Sequence, residues 1–203
     1  MGIKLNLGAS PIWKKEGWYV LDHKLDRTEG NRIAGDATAM DLVDGSCDVV
    51  FCSHVFEHIP HTKLPLVLSE INRVLKSGGT LRLLTPDLKK IAKAYIDNDE
   101  EFFLEAKEED PSLRTDLGFG GMMMNFIVSP GQDTILVDRN VNGFIAGYAH
   151  IYSYDFDMLK VMLNKLGFKN ILQKDFCDSP IKEFSEPLHV ESLPPVWKNL
   201  STE

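Results

Sequence analysis

Asp41-Leu42-Val43-Asp44-Gly45-Ser46-Cys47-Asp48-Val49-Val50-Phe51-Cys52-Ser53-His54-Val55-Phe56-Glu57-His58-Ile59 falls into three parts: an acidic turn, an apolar run and a polar tail. The run Asp48–Cys52 lacks the alternation of a strand with one wet face. It reads as a strand buried on both sides, the kind found inside parallel sheets. Parallel neighbours need crossover connections, so the flanking sequence should supply them.

It does on the C-terminal side. Between Lys63 and Lys76, Leu64, Val67, Leu68, Ile71 and Leu75 recur at the spacing of one helix face, with Thr62 placed to cap the start and Gly78 to end it. The Gly78-Gly79 turn then introduces a strand at Thr80–Leu84. Strand, helix, strand in that order implies a right-handed parallel crossover. On the N-terminal side, Lys4–Leu7 and Trp18–Asp22 read as strands, and Arg32–Gly35 as a weaker third. About ten residues separate Leu7 from Trp18, near the lower limit for a parallel crossover, so any helix there is a single turn or absent. Later, Leu88, Ile91, Ala92 and Tyr95 share a helix face after Pro86-Asp87, and its acidic continuation to Asp110 reads as a solvated helical surface. A further helix runs from about Tyr154 to Leu166 with Gly167 as its C-cap. Strands are expected at about Phe168–Asp175 and Leu188–Glu191. Residues 111–150 contain Met122-Met123-Met124 and no clear period; a segment of that length reads as a lid or substrate-binding insertion, with a short hairpin around Ile135–Phe144.

The whole chain, 203 residues with 43% hydrophobic and 26% charged, fits one domain (1–203) with a sizeable core and excludes a disordered or fibrous protein. No run approaches the ~18 apolar residues of a membrane span, and the start of the chain does not read as a signal peptide. A net charge of −8 disfavours nucleic acid as a partner. Cys47, Cys52 and Cys177 cannot all pair within one chain and none lies in a C-x-x-C, which points to reduced thiols and a cytoplasmic setting.

Three strand ends carry ligand chemistry. Leu7-Gly8-Ala9-Ser10 ends the first strand in small residues, which lets backbone approach a ligand closely; it lacks the G-x-G-x-x-G and Walker phosphate loops. Asp22 ends the second, where a carboxylate can accept from both hydroxyls of a ribose. Asp36, after the third, can bond an exocyclic amine. Ligands of open α/β sheets bind at the carboxyl ends of the strands, where all of these would gather. His54-Val55-Phe56-Glu57-His58 also spells H-x-x-E-H, an inverted zinc-peptidase pattern. It begins a loop directly after a buried strand, and Pro60 stops any helix. Glu57 and His58 are therefore read as structural ties, and no metal ligand is assigned.

With its Gly8 loop, Asp22, Asp36, the Asp48–His58 stretch, Gly78-Gly79, Thr85-Pro86-Asp87 and Ala149-His150, the chain resembles the class I S-adenosylmethionine-dependent methyltransferases, type 11 in particular. The match spans roughly residues 3–90 and, loosely, 148–192. The resemblance implies an α/β fold: a three-layer Rossmann-like sheet of seven mostly parallel strands, the last antiparallel, here with shortened N-terminal crossovers. It implies S-adenosylmethionine as cofactor, with Leu7, Gly8, Ala9 and Ser10 along its methionine and ribose part. Asp22 would hold the ribose hydroxyls, Asp36 and Ala37 the adenine, and Ser53 and His54 the region of the methionine or sulfonium. Ala9-Ser10 stands where the family usually has Cys-Gly or another small pair. The expected reaction is methyl transfer by in-line displacement to a small-molecule or glycan-precursor acceptor. His150 is the first candidate base and His54 the second, because histidine titrates near neutral pH. A methyltransferase-like binding protein without turnover and a different nucleotide-dependent enzyme are the rivals. Oligomeric state is left open, a homodimer included.

Overall fold

The computed structural model describes residues 2–9, 13–109, 116–128, 150–175, 178–179, 181–185, 188 and 201–202. They fall into two compact units, each taken by itself: Met1–Val55, His61–Leu84 and Lys160–Leu172 form the first; Phe56–Pro60, Thr85–Leu159 and Gln173–Glu203 form the second.

The first unit is built on β1 (Ile3–Leu7), β2 (Trp18–Asp22), β3 (Arg32–Ala34), β4 (Cys47–Ser53) and the part of β5 (Leu75–Pro86) up to Leu84. These strands lie in the order β3-β2-β1-β4-β5, and every adjacent pair is parallel. β2, β1 and β4 are interior strands, and they are largely apolar for that reason. Within β4 only Asp48 escapes full burial, while Leu5, Leu7, Val50 and Cys52 are at most 1% exposed. Asn6 is the exception in β1: it is wholly buried, and neither its side-chain nitrogen nor its oxygen has a hydrogen-bond partner among the described residues. On the flank, the ring edges of Trp13, Trp18 and Phe51 meet in successive T-shaped contacts.

Helix α1 (Leu64–Val74) links β4 to β5 and buries Leu64, Val67, Leu68, Ile71 and Val74, the stripe set by its apolar spacing. Two details differ from expectation. Lys63, not Thr62, is the N-cap and gives no side-chain bond; Pro65 in the first turn, whose missing N–H needs no partner, starts the helix instead. The helix also ends at Val74 rather than at Gly78, because Leu75 is already extended and pairs with Cys47. Gly78-Gly79 then sits inside β5, where the register shifts and Gly78 takes φ +79°. The three earlier crossovers contain no helix among the described residues.

A strand at 168–175 does not form. Asn170 takes φ +54° and Leu172 is 67% exposed, so a left-handed kink interrupts the alternating pattern, and the segment pairs with no strand among the described residues. Except for Leu188, the expected strand at 188–191 lies outside the described residues, as do Cys177 and the hairpin at 135–144. Among the described residues the sheet has five parallel strands, with the short β6 (Ser201–Thr202) pairing antiparallel to Thr85 and Pro86 in the second unit.

That second unit holds α2 (Leu88–Asp97), α3 (Glu100–Glu109) and α4 (Gly118–Ile127). Asp87 caps α2 by accepting from the Lys89 amide at 2.9 Å. Asn98 in the left-handed conformation ends it, and Asp99 accepts from the Phe102 amide at the start of α3. Ile91, Ala94, Phe103, Met122 and Phe126 form a buried cluster among the three helices. α4 falls within the stretch expected to be irregular; Met122 fills core there, while Met124 is 49% exposed. Helix α5 (Phe156–Lys165) follows, started by Asp155, whose side chain accepts from the Met158 amide. No helix among the described residues is long and apolar enough to cross a membrane.

Candidate functional site

Strand register brings the sequence-assigned residues of the first unit together. Leu7 pairs with Leu21 on one side and with Cys52 on the other. The next residues along, Gly8, Asp22 and Ser53, therefore stand at one level at the carboxyl ends of three adjacent strands, about 4.8 Å from one strand to the next. Asp22 pairs with Ala34, so Asp36 and Ala37 follow two and three residues beyond that level.

Each position has its own local cause. Gly8 takes φ +72°, a left-handed conformation, and a Cβ built on it would lie 2.5 Å from Val55 Cγ2. Its amide still donates to Leu21 O at 2.8 Å, which extends the β1–β2 ladder to the turn. Leu7 and Ala9 are buried beside it; Ser10 lies outside the described residues. Asp22 is 5% exposed, and its Oδ1 accepts from the Lys24 amide at 2.8 Å. That bond orients the carboxylate at the edge of the sheet. Asp36 is exposed, and its Oδ1 accepts from both the amide and the hydroxyl of Thr38. Burial raises its pKa, but the Thr38 bonds together with the charges of Lys63 and His23 outweigh that and hold the carboxyl below its ordinary value.

Ser53 is the unusual member. Its hydroxyl is buried and has no hydrogen-bond partner among the described residues. A buried unpaired hydroxyl is unfavourable in the protein alone, and such orphans concentrate where a ligand completes the bonding. His54, next in sequence, is half-buried and takes φ +53°, rare for a residue with a side chain. Its amide donates to Leu84 O at 2.9 Å, which holds the turn at the end of β4. A glycine cradle without room for a Cβ, an oriented carboxylate and an orphan hydroxyl at one sheet edge fit a nucleoside-bearing group. A separate cavity of about 460 Å³ lies between Trp13, Trp18 and Arg32. Trp18 and Arg32 begin β2 and β3, so that cavity is at the opposite, amino-terminal edge.

His150 belongs to the second unit. It is 7% exposed, and its Nδ1 lies 3.0 Å from Phe126 O. A carbonyl only accepts, so Nδ1 carries a proton, and in the neutral ring Nε2 holds the lone pair. In the same unit, the turn Phe56–His58 brings up Glu57, which is 1% exposed, and His58, whose ring centroid is 5.0 Å from that of His150. Thr85 Oγ1 donates to Glu57 Oε2 at 3.3 Å. Burial pushes the nearby Tyr154 phenol well up, with the charges of Tyr152 and Glu57 adding to it. In the sequence Glu57 and His58 read as ties, and their meeting with His150, more than ninety positions away, is hinted at only by the Glu-His dipeptide.

Comparison with known proteins bears on the fold. Residues 19–83 match the family model described as a methyltransferase domain. No curated protein matches the chain. A SAM-dependent methyltransferase from Archaeoglobus fulgidus is similar over 86% of this chain, with 17% identity and a TM-score of 0.51. This chain spans 64% of that protein. YcgJ of Bacillus subtilis gives 14% identity over 86% of this chain and 65% of its own, with a TM-score of 0.44. A Haemonchus contortus phosphoethanolamine N-methyltransferase 2, solved with S-adenosyl-L-methionine, gives 14% identity over 87% of this chain and 36% of its own, with a TM-score of 0.41. At these identities the likeness is one of fold, and the first of the three carries it. Five parallel strands in the order described, with a methyltransferase-domain match across β2 to β5, identify the fold as that of the class I S-adenosylmethionine-dependent methyltransferases.

Proposed function

We propose that this chain binds S-adenosylmethionine at the carboxyl edge of its sheet and transfers the methyl group to a small-molecule or glycan-precursor acceptor. The observation that carries the reading is the common level of Gly8, Asp22 and Ser53, set by the register of β1, β2 and β4. Gly8, flanked by Leu7, Ala9 and Ser10, accommodates the close approach of the methionine and ribose. Asp22 accepts from the ribose hydroxyls, Asp36 and Ala37 border the adenine, and Ser53 and His54 lie toward the methionine. The bound cofactor supplies an already activated methyl on a sulfonium, so the protein's task is to hold the acceptor in line and keep water out.

An acceptor hydroxyl or amine must lose a proton. His150, through Nε2, and His54 are the side chains proposed to take it. The stretch 111–150, which includes α4, is proposed to border the acceptor. Acidic net charge favours an acceptor other than nucleic acid, and the cytoplasm is the proposed compartment.

Thermal unfolding with S-adenosylmethionine, S-adenosylhomocysteine and NAD tests this, since a ligand that binds only the folded state raises the melting temperature. Both sulfur nucleosides should raise it and NAD should not. A chain indifferent to both sulfur nucleosides at millimolar concentration is not a methyltransferase.

A further inference from the structure

Glu57, His58 and His150 each offer one ligand atom, and the three atoms lie within 4.8 Å of one another. All three residues belong to the second unit. We propose that they form a binding site for a divalent transition-metal ion of the zinc or iron(II) kind. Two imidazoles and one carboxylate are the donor set such ions prefer, whereas magnesium and calcium take oxygen ligands.

Three features prepare the cluster for an ion. His150 has its tautomer fixed by the bond from Nδ1 to Phe126 O, which directs the Nε2 lone pair to a metal; ligating histidines usually make such a bond through the other nitrogen. Glu57 is buried and its carboxylate accepts from Thr85 Oγ1, the support a ligating carboxylate needs. The backbone ties the two halves together: the Ile151 amide donates to Glu57 O at 2.8 Å and the Tyr152 amide to the same oxygen at 3.3 Å. Residues ninety positions apart are thereby held face to face by main-chain bonds, independent of their side chains. Metal–ligand bonds of about 2.0–2.2 Å place donor atoms roughly 3.2–3.6 Å apart. His58 is the least buried of the three. Three protein ligands leave at least one coordination position for water or a small oxygen or nitrogen ligand, as in catalytic rather than structural sites. His54, the first histidine of the H-x-x-E-H pattern, is not in this set. With an ion bound, the Nε2 lone pair of His150 is occupied, and His54 alone remains as the proposed base.

The experiment uses the full chain without a histidine tag, stripped with chelator and titrated with Co²⁺ in the absence of any sulfur nucleoside. Failure here therefore leaves the methyl-transfer reading intact. The expected result is saturable binding of a single ion with ligand-field bands in the visible, displaced by Zn²⁺ but not by excess Mg²⁺, and a raised melting temperature. His58→Ala should weaken binding at least about tenfold with the melting temperature of the stripped protein unchanged, and Glu57→Gln should weaken it similarly. The exposed His61→Ala should bind as wild type. A spectrum identical to that of aqueous Co²⁺, or undiminished binding by His58→Ala, overturns the proposal.

Discussion

Gly8 and Val55 stand so close that a Cβ on the glycine would lie 2.5 Å from Val55 Cγ2. The contact joins the end of β1 to the residue just past the turn of β4, so it sets the depth of the strand-end cradle. Gly8 also sits at φ +72°. Gly8→Ala should therefore destabilise the fold by about 2–4 kcal/mol, from backbone strain and overpacking together. Shaving the neighbour in Gly8→Ala/Val55→Ala should leave the backbone part of that loss, because the left-handed conformation is unfavourable whatever the space. Urea unfolding of the three proteins separates the two contributions.

Asp22 has two duties, holding the Lys24 amide and, in the proposed site, the ribose hydroxyls. Asp22→Asn keeps a carbonyl oxygen for the turn but loses the charge. It should weaken S-adenosylhomocysteine binding by about 1–3 kcal/mol with little change in unfolding free energy. Calorimetric titration reads the first and urea unfolding the second. A tight-binding Asp22→Asn removes the residue from the site.

Ser53 predicts an opposite pair of effects. Its hydroxyl is buried without a partner among the described residues. Ser53→Ala removes that unfavourable burial, so the free protein should be as stable as wild type or more stable by up to about 1 kcal/mol. The same change should lower affinity for the cofactor. Melting curves with and without S-adenosylmethionine should cross over: the variant melts higher alone, and the wild type gains more from ligand.

Away from the edge, Arg73 knits the turn before β4 to α1. Its guanidinium donates to Glu70, to Asp44 and to the backbone oxygens of Leu42 and Met40. The Arg73 bonds hold the Glu70 carboxyl below its ordinary value of 4.5, against a smaller opposing effect of burial. A depressed carboxylate contributes stability that is present above the unfolded-state pKa and is lost as pH falls through the folded one. Stability should therefore decline from about pH 4.5 downward, and Glu70→Gln should flatten that acid limb in urea unfolding measured across pH.

Much of the sheet was legible because its signals are local. β2 is found where it was expected, and the apolar run of β4 gave away its interior position. The buried stripe of α1 follows directly from a 3.6-residue period. Helix α4 was hidden by its own composition. Gly118, Gly120 and Gly121 suppress helix propensity, and three consecutive methionines leave no polar face to define a period, so only packing against α2 and α3 makes it a helix. The break between α2 and α3 had a readable signal, since Asn98-Asp99 supplies a left-handed end and a new cap. The residues at 168–175 mimic a strand, but the period-2 alternation does not by itself provide a neighbour, and none pairs with them among the described residues. Of the candidate site, the strand-end residues were legible because each follows a strand, and a parallel sheet puts such ends on one edge. The Glu57–His58–His150 group was not, because its members are joined by a long-range backbone contact that no spacing records.

The central claim is that the carboxyl edge of β1, β2 and β4 is a seat for an adenosyl group. A crystal structure of the full chain grown with S-adenosylhomocysteine tests it most directly. The account predicts the ribose hydroxyls within hydrogen-bond distance of the Asp22 carboxylate, the amino-acid part over Gly8 and a partner for the Ser53 hydroxyl. Nucleoside density at any other place, or a cradle filled by protein atoms at saturating ligand, would contradict it.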